Sequence, residues 1–231
     1  MNFNHLNDII EKKKSRLCFS ADFTNKKDLL FWVDLVGPDI CLLKTHIDIL
    51  EDFDEEVIKK LLELKEKHNF LILEDRKFAD IGKTFEKQLY GGIYKIGEWA
   101  DIITMHGICC SGMLNYMDSL GKRTPKVLLV SQMSSACNLI STNYTHDCYD
   151  IANQYRDLVI GFISQQKFIE DDTFLFLTPG VSHQKYRSLD QRYRTPQQAL
   201  EEDKNDIIIV GSGIYGFPPE EYPNIIKKYL V

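Results

Sequence analysis

The sequence predicts an α/β fold, a single (β/α)8 TIM barrel that occupies residues 1–231. Short apolar runs alternate with helical patterns along the chain, and no internal repeat or Ser/Gly-rich linker divides it. Barrels of strand-helix units often reach this length as one domain. A doubly wound open sheet is the alternative, because periodicity cannot show whether a sheet closes.

Each predicted strand is a short run of β-branched or other apolar residues. In chain order the runs occupy residues 17–20, 40–43, 70–73, 101–105, 127–130, 158–163, 173–177 and 207–210. Strands this short, separated by helical segments, are typical of parallel sheets whose faces are both covered.

The segments between the strands carry amphipathic patterns and helix-start signals. One apolar stripe consists of Val57, Ile58, Leu61 and Leu62, and another of Tyr222, Ile225, Ile226, Tyr229 and Leu230. Residues 195–198 have the threonine, proline and glutamine of a helix start, and residues 218–221 open the final helix.

Composition and charge narrow the class of protein. Apolar residues make up 44% of the chain, charged residues 27%, and the formal net charge is -6, which disfavours nucleic acid as a partner. The six cysteines include no C-x-x-C pair, so we expect free thiols. Neither a signal peptide nor a membrane-spanning run is recognised, and we expect a cytoplasmic protein with no membrane partner.

A lysine stands between two carboxylates where the third predicted strand ends. If the strand continues through Asp75 and Lys77, their side chains point to one face, and Asp80 falls in the following loop. A buried ammonium group flanked by carboxylates stays charged and fixed, which suits a general acid. The alternative from these residues alone is a structural ion pair at a strand end.

Two glycine-containing loops follow the last two predicted strands, at residues 178–181 and 211–213. In an α/β barrel, phosphate commonly binds at these positions. Glycines there let backbone N–H groups approach an anion. Together the loops favour a phosphorylated ligand.

Seven blocks of this sequence, in order, resemble the orotidine 5′-monophosphate decarboxylase family of the eukaryotic type. They are Leu-Cys-Phe-Ser-Ala-Asp at 17–22, Cys-Leu-Leu-Lys-Thr-His-Ile-Asp at 41–48, Glu-Asp-Arg-Lys-Phe-Ala-Asp-Ile-Gly at 74–82, Gly-Glu-Trp-Ala-Asp at 97–101, Thr-Pro-Gly-Val at 178–181, Tyr-Arg-Thr at 193–195 and Asp-Ile-Ile-Ile-Val-Gly at 206–211. The D-x-K-x-x-D block is the most specific, although related sugar-phosphate decarboxylases and aldolases share its outline.

The resemblance implies conversion of orotidine 5′-monophosphate to uridine 5′-monophosphate, with no metal and no cofactor. It implies that Asp22 and Lys44 hold the ribose hydroxyls and anchor a charged array. Asp75 is then placed against the substrate carboxylate, and Lys77 protonates the ring carbon.

The family also implies a homodimer with its active sites at the interface. Asp80 reaches across that interface together with Thr84. Because no second domain is recognised, we expect a monofunctional enzyme.

The same resemblance implies the ligand contacts. Ser134 meets the pyrimidine, Gln191 and Tyr193 close over the phosphate, and the loops that contain Pro179, Gly211 and Ser212 bind it. Position 212 departs from the family, which has a phosphate-binding arginine there. Arg192 is the candidate replacement. The stretch 131–143 also lacks the lysine and glycines of the family's pyrimidine loop.

Two other functions fit parts of this pattern. A metal-dependent sugar-phosphate decarboxylase or aldolase on the same barrel would use Asp75 as a magnesium ligand. A nucleotide-binding barrel protein that has lost turnover would explain Ser212. However, such a binding protein has little reason to keep Lys44, Asp75, Lys77 and Asp80 together.

Overall fold

A computed structural model describes residues 3–121, 123–183 and 192–230. Eight parallel strands form a closed barrel in which each strand pairs with its neighbours in chain order and the eighth pairs with the first. The predicted barrel is therefore confirmed, and the open-sheet alternative is wrong.

All eight predicted strands are present, with ends that differ by a few residues. The strands are β1 (Leu17–Ser20), β2 (Leu42–Thr45), β3 (Leu71–Phe78), β4 (Ile102–His106), β5 (Lys126–Val130), β6 (Val159–Ile163), β7 (Leu175–Thr178) and β8 (Ile207–Val210). The largest difference is β3, which extends five residues beyond its predicted end at residue 73 and so includes Asp75 and Lys77. This extension carries Asp75 and Lys77 into the barrel wall.

Helices cover the outside of most of the barrel. They are α1 (Phe3–Lys13), α2 (Lys26–Val36), α3 (Glu55–His68), α4 (Gly82–Tyr90), α5 (Ile96–Trp99), α6 (Cys110–Ser119), α7 (Thr142–Gln154), α8 (Ser212–Tyr215) and α9 (Tyr222–Ile226). Residues 164–174, between β6 and β7, are all described and contain no helix. In the described part of the chain no helix is both long and apolar enough to cross a membrane.

Helix α3 shows how the sequence sets the helix ends. Asp54 accepts a hydrogen bond from the backbone N–H of Val57 and caps the first turn, and Asn69 ends the helix in the left-handed conformation. Val57 and Leu61 of the predicted stripe are buried against the barrel. The apolar face thus fixes how the helix lies on the strands.

Residues 195–202 begin as predicted but continue differently. The side chain of Thr195 accepts from the backbone N–H of Gln198, and the Gln198 side chain accepts from the backbone N–H of Thr195, as in a capping box. The following turn, Gln198–Glu202, is a π-helix rather than an α-helix. Residues 218–221 likewise open a short 3-10 turn that leads into α9.

The apolar core has two layers. One lies between the strands and the surrounding helices, and the other fills the barrel interior with residues such as Leu42, Leu73 and Ile207. Leu6 and Ile9 of α1 belong to the interior cluster, so α1 packs against the end of the barrel where the strands begin. The opposite end of the barrel, where the strands finish, is not covered by α1 and is available for polar side chains.

Candidate active site

A cavity of about 450 Å³ opens at the carboxyl ends of the strands. The predicted site residues that line it are Asp22, Lys44, Asp75, Lys77, Ser134, Pro179, Tyr193, Gly211 and Ser212. They come from six different strand-to-helix connections or strand ends, which is where barrel enzymes place their reacting groups.

One carboxylate oxygen holds the charged groups of the cavity together. Asp75 Oδ2 lies 2.8 Å from Lys77 Nζ and 3.2 Å from Lys44 Nζ. Lys44 Nζ also lies 3.5 Å from Asp22 Oδ1, and Ser20 donates to both oxygens of Asp22. The order aspartate, lysine, aspartate, lysine therefore exists within one chain.

Burial and charge act in opposite directions on this array. Burial favours the neutral form of Asp75, but the ammonium groups of Lys44 and Lys77 outweigh it and lower the pKa of Asp75 to about 2. Burial also disfavours the charged form of Lys44, and the carboxylates of Asp75 and Asp22 outweigh it and raise the pKa of Lys44. Asp75 and Lys44 are therefore charged at neutral pH.

Lys77 reaches the array because β3 is irregular at this point. Its backbone φ is +54°, the left-handed region that residues with a side chain seldom adopt. The pairing of β3 with β4 shifts register between Glu74 and Phe78, which places a bulge at Asp75 and Lys77. Asp75 and Lys77 do meet, as predicted, but through a bulge and not through regular strand alternation.

Glu74 organises the loop behind the array. It is fully buried, accepts from Thr45 Oγ1 at 2.6 Å, and accepts from the backbone N–H of Ile47 at 3.1 Å. These partners flank His46, whose Nε2 lies 2.9 Å from Lys44 Nζ. Burial and the charge of Lys44 lower the pKa of His46. His46, which sequence reasoning left without a catalytic role, thus contacts the array.

The glycine loops line the other end of the cavity. Gly180 has a φ of +73°, and a Cβ there would lie 2.4 Å from the carbonyl oxygen of Arg192. Among the described residues that line the cavity, Lys44 and Lys77 are the cations, and both lie at the Asp75 end. Ser212 adds no charge at the glycine end.

Arg192 was predicted to replace the family's phosphate-binding arginine, but it does not line the cavity. It lines a neighbouring polar cavity with Gln132, His146 and Lys167. Its backbone N–H donates to the carbonyl oxygen of Ser134, which ties the two loops together. In this structure Arg192 contributes through its backbone to loop geometry.

Asp80 and Thr84 do not line the cavity of their own chain. Asp80 accepts from the backbone N–H of Ile81 at 2.8 Å and from Gln88 Nε2 at 3.3 Å, and it is partly exposed. Thr84 lies in α4 and is also partly exposed. Gln191, predicted to close over the phosphate, lies outside the described residues.

The cavity also contains residues that were not predicted. Ser20, Met133 and Tyr215 line it. Thr104, a buried hydroxyl in the apolar strand β4, contacts both Asp75 and Lys77. In the sequence, the signal that could have identified Thr104 was a polar residue inside an otherwise apolar strand.

Over the described ranges, no group of three or more His, Cys, Asp or Glu side chains is placed to hold a metal ion.

Comparison with known proteins identifies the family of this chain. The family model for Orotidine 5'-phosphate decarboxylase / HUMPS family matches residues 15–222. The Orotidine 5'-phosphate decarboxylase of Schizophyllum commune is 43% identical over 233 residues, which cover 96% of this chain and 84% of that protein. The chain belongs to this family.

Other members support the same assignment and the fold. The Orotidine 5'-phosphate decarboxylase of Rhizomucor pusillus is 44% identical over 217 residues, covering 92% of this chain and 82% of that protein. The crystal structure of Orotidine 5'-monophosphate decarboxylase from Methanocaldococcus jannaschii superposes with a TM-score of 0.68 at 21% identity, covering 93% of this chain and 98% of that one. That structural match shows a shared barrel.

The buried carboxyl of Glu74 predicts a pH dependence of stability. Burial raises the pKa of Glu74 from 4.5 to about 8, so the folded chain holds a proton that the unfolded chain has released. The free energy of unfolding should therefore fall as the pH rises from about 5 to about 8. Glu74→Gln removes this titration, and urea unfolding of both proteins measures it. A difference between the two that does not change with pH would contradict the prediction.

Proposed function

We propose that this chain decarboxylates orotidine 5′-monophosphate to uridine 5′-monophosphate, the last step of de novo pyrimidine synthesis, with Lys77 as the acid that protonates the ring carbon. The matching family model includes Orotidine 5'-phosphate decarboxylase, and relatives that are 43% and 44% identical over most of the chain carry that name. The observation that carries the residue assignment is the contact of Lys77 and Lys44 with one oxygen of Asp75 inside the cavity.

The array suits the difficulty of this reaction. Loss of carbon dioxide leaves a carbanion at a ring carbon that has no adjacent electron sink. Two fixed ammonium groups stabilise negative charge that develops beside them without having to reorganise, and this works best where water is excluded. Lys77, whose side chain is 30% exposed and faces the cavity, then delivers a proton to the carbon.

Asp75 acts mainly by position and charge. Because its pKa is about 2, it remains a carboxylate when a second carboxylate binds beside it. The two like charges repel in the bound substrate, and this repulsion disappears when carbon dioxide leaves. Asp22, held by Ser20 and 3.5 Å from Lys44, is assigned to the ribose hydroxyls.

The remaining cavity residues are assigned to the two ends of the nucleotide. Ser134 meets the pyrimidine. Pro179 and Gly211, in the loops after β7 and β8, lie where barrels bind phosphate, and Tyr193 and Ser212 complete that end of the cavity. Gln191 is assigned to the phosphate from the family pattern alone.

A metal-dependent reaction at Asp75 is disfavoured by charge. One oxygen of Asp75 accepts from Thr104, and the other contacts two ammonium groups. A divalent cation would have to displace those ammonium groups or lie beside them, against their repulsion. The site therefore favours cofactor-independent chemistry.

A homodimer with shared active sites accounts for Asp80 and Thr84. Both are partly exposed and lie outside the cavity of their own chain. The loops after the adjacent strands β3 and β4 expose Ile81 and Ile108, at 71% and 73%. Apolar side chains exposed this fully near a cavity favour burial against a partner. We further assign the enzyme to the cytoplasm, which agrees with its six free cysteines.

Lys77→Ala tests the proposed acid. We expect the wild-type protein to decarboxylate orotidine 5′-monophosphate in excess chelator and the variant to lose at least roughly a hundredfold in kcat, because general acid catalysis contributes this much. The loss of substrate ultraviolet absorbance measures the rate. Lys59→Ala, on the exposed face of α3, is the control.

Full activity in Lys77→Ala would exclude the mechanism, and activity lost to chelator would favour the metal-dependent enzyme. Binding of uridine monophosphate by a wild-type protein that shows no turnover would favour a binding protein.

Ser212→Arg tests the phosphate end of the cavity. A charged hydrogen bond contributes roughly 1.5–3 kcal/mol, so we expect a KM that is about ten- to a hundredfold lower. Ser212→Gln adds similar bulk without charge and should not reproduce this gain. Titration with uridine monophosphate gives the affinity directly. An unchanged affinity in Ser212→Arg would mean that another cation already binds the phosphate.

Mixing two inactive variants tests the shared site. Lys77→Ala and Asp80→Ala should each be inactive alone. If Asp80 serves the neighbouring subunit, random pairing of equal amounts makes half of the dimers mixed, each with one intact site, and restores about a quarter of the native activity. Activity is measured after the two variants are mixed and their subunits are allowed to exchange. If Asp80 acted within its own chain, the mixture would stay as inactive as each variant alone.

A further inference from the structure

Thr104 is a buried hydroxyl in the middle of β4. Its neighbours in the strand, Ile103 and Met105, are also fully buried, and both belong to the apolar layer beneath the helices. Strand alternation turns Thr104 to the opposite face, toward the barrel interior. A threonine hydroxyl has one proton to donate and lone pairs to accept with, so a buried one needs partners for both.

Both capacities of this hydroxyl are used at the charged array. Thr104 Oγ1 donates to Asp75 Oδ1 at 2.8 Å, and it accepts from the backbone N–H of Lys77 at 2.8 Å. One atom therefore joins the carboxylate at the centre of the array to the backbone of the residue assigned as the acid. None of the roles assigned above includes it.

The irregularity of β3 explains why Lys77 needs this contact. Glu74 pairs with Ile103, and the next paired residue is Phe78, opposite Met105. The intervening residues of β3 have no regular ladder partner in β4. The N–H of Lys77 would otherwise lack a strand acceptor, and its φ of +54° lies in the left-handed region, which is unfavourable for a residue with a side chain. The hydroxyl of Thr104 replaces the missing ladder bond.

The contact to Asp75 fixes the other half of the geometry. Oδ1 of Asp75 is held by Thr104, which leaves Oδ2 for Lys77 at 2.8 Å and Lys44 at 3.2 Å. Without the hydroxyl, the carboxylate could rotate about its Cβ–Cγ bond and exchange the oxygen that it offers to the lysines. Thr104 thus determines which oxygen carries the two ammonium groups.

We propose that Thr104 is a positioning residue, which holds the Asp75 carboxylate and the Lys77 backbone in the arrangement that the decarboxylation requires. The assignment rests on the proposed function of the site and adds a residue to it. Reacting groups must lie within fractions of an ångström of their productive positions, so a loosened carboxylate lowers the rate of the chemical step more than it lowers substrate binding.

Replacement of the hydroxyl tests this role. Thr104→Val keeps the shape of the side chain, and Thr104→Ala shortens it to a methyl group. Neither side chain can form a hydrogen bond to Asp75 or to the backbone of Lys77. In both we expect kcat to fall by roughly ten- to a hundredfold, since hydrogen bonds to charged groups are worth this much, while KM changes by less than about threefold. Thr104→Ser retains the hydroxyl and should recover kcat to within about threefold of the wild type.

Ser15→Ala is the matched control. Ser15 is 1% exposed, donates to the carbonyl oxygen of Asp39 at 2.5 Å, and accepts from the backbone N–H of Leu17 at 3.3 Å, just before β1 and at the opposite end of the barrel. Ser15→Ala, like Thr104→Ala, loses one bond that the hydroxyl donates and one that it accepts from a backbone N–H. It should nevertheless retain the native kcat. A thermal melt of each variant separates lost stability from lost rate.

Several results would overturn the proposal. Native kcat in Thr104→Val and Thr104→Ala would do so, as would a serine variant as slow as the valine variant, or an equal loss in Ser15→Ala. A crystal structure of Thr104→Val gives a readout that does not need turnover. We expect the contact between Lys77 Nζ and Asp75 Oδ2 to lengthen from 2.8 Å. An unchanged contact overturns the positioning role, whereas a wild-type protein without activity overturns the proposed function instead.

Discussion

A single carboxylate oxygen, Asp75 Oδ2, is the point on which the candidate site depends. Two ammonium groups lie against it in a place where Asp75 and Lys44 are almost fully buried. Each charge there is stable only because the others are present, since an isolated buried charge would instead become neutral. The array is therefore a cooperative unit: loss of one member changes the charge or the position of the rest.

The fold supplies this arrangement through one irregularity in an otherwise regular barrel. Lys44 lies in a regular part of β2, paired with Leu73, so barrel closure alone carries it to the cavity. Lys77 requires the bulge in β3 and a left-handed backbone. Strain of this kind persists only where surrounding contacts maintain it, and it is common where a side chain must be aimed. Regular strands provide the frame, and the bulge directs the side chain of Lys77 into it.

The sequence predicted the strands better than the details of the site. Apolar runs bounded by polar segments mark a buried parallel strand directly, which is why all eight were found. The proximity of Asp75 and Lys77 was also predicted, but for a reason that proved incomplete, because alternation along a regular strand does not describe the bulge. Thr104 comes from another strand, and only the register between β3 and β4 brings it to Asp75. Local sequence contains no information on that pairing.

The two ends of the cavity differ in how much they depend on one residue, and this explains how the chain can lack an arginine at position 212. At the Asp75 end, the charges support one another, so a substitution there would be costly. At the glycine end, the loop after β7 is held by bonds that do not involve residue 212: Arg194 donates to Thr178 and contacts Asp203. The frame of this loop, which we assign to the phosphate, is thus independent of the side chain at 212. If residue 212 binds the phosphate as we propose, a change there alters the binding energy and, through it, the energy available to orient the reacting ring. The chemical groups themselves stay in place.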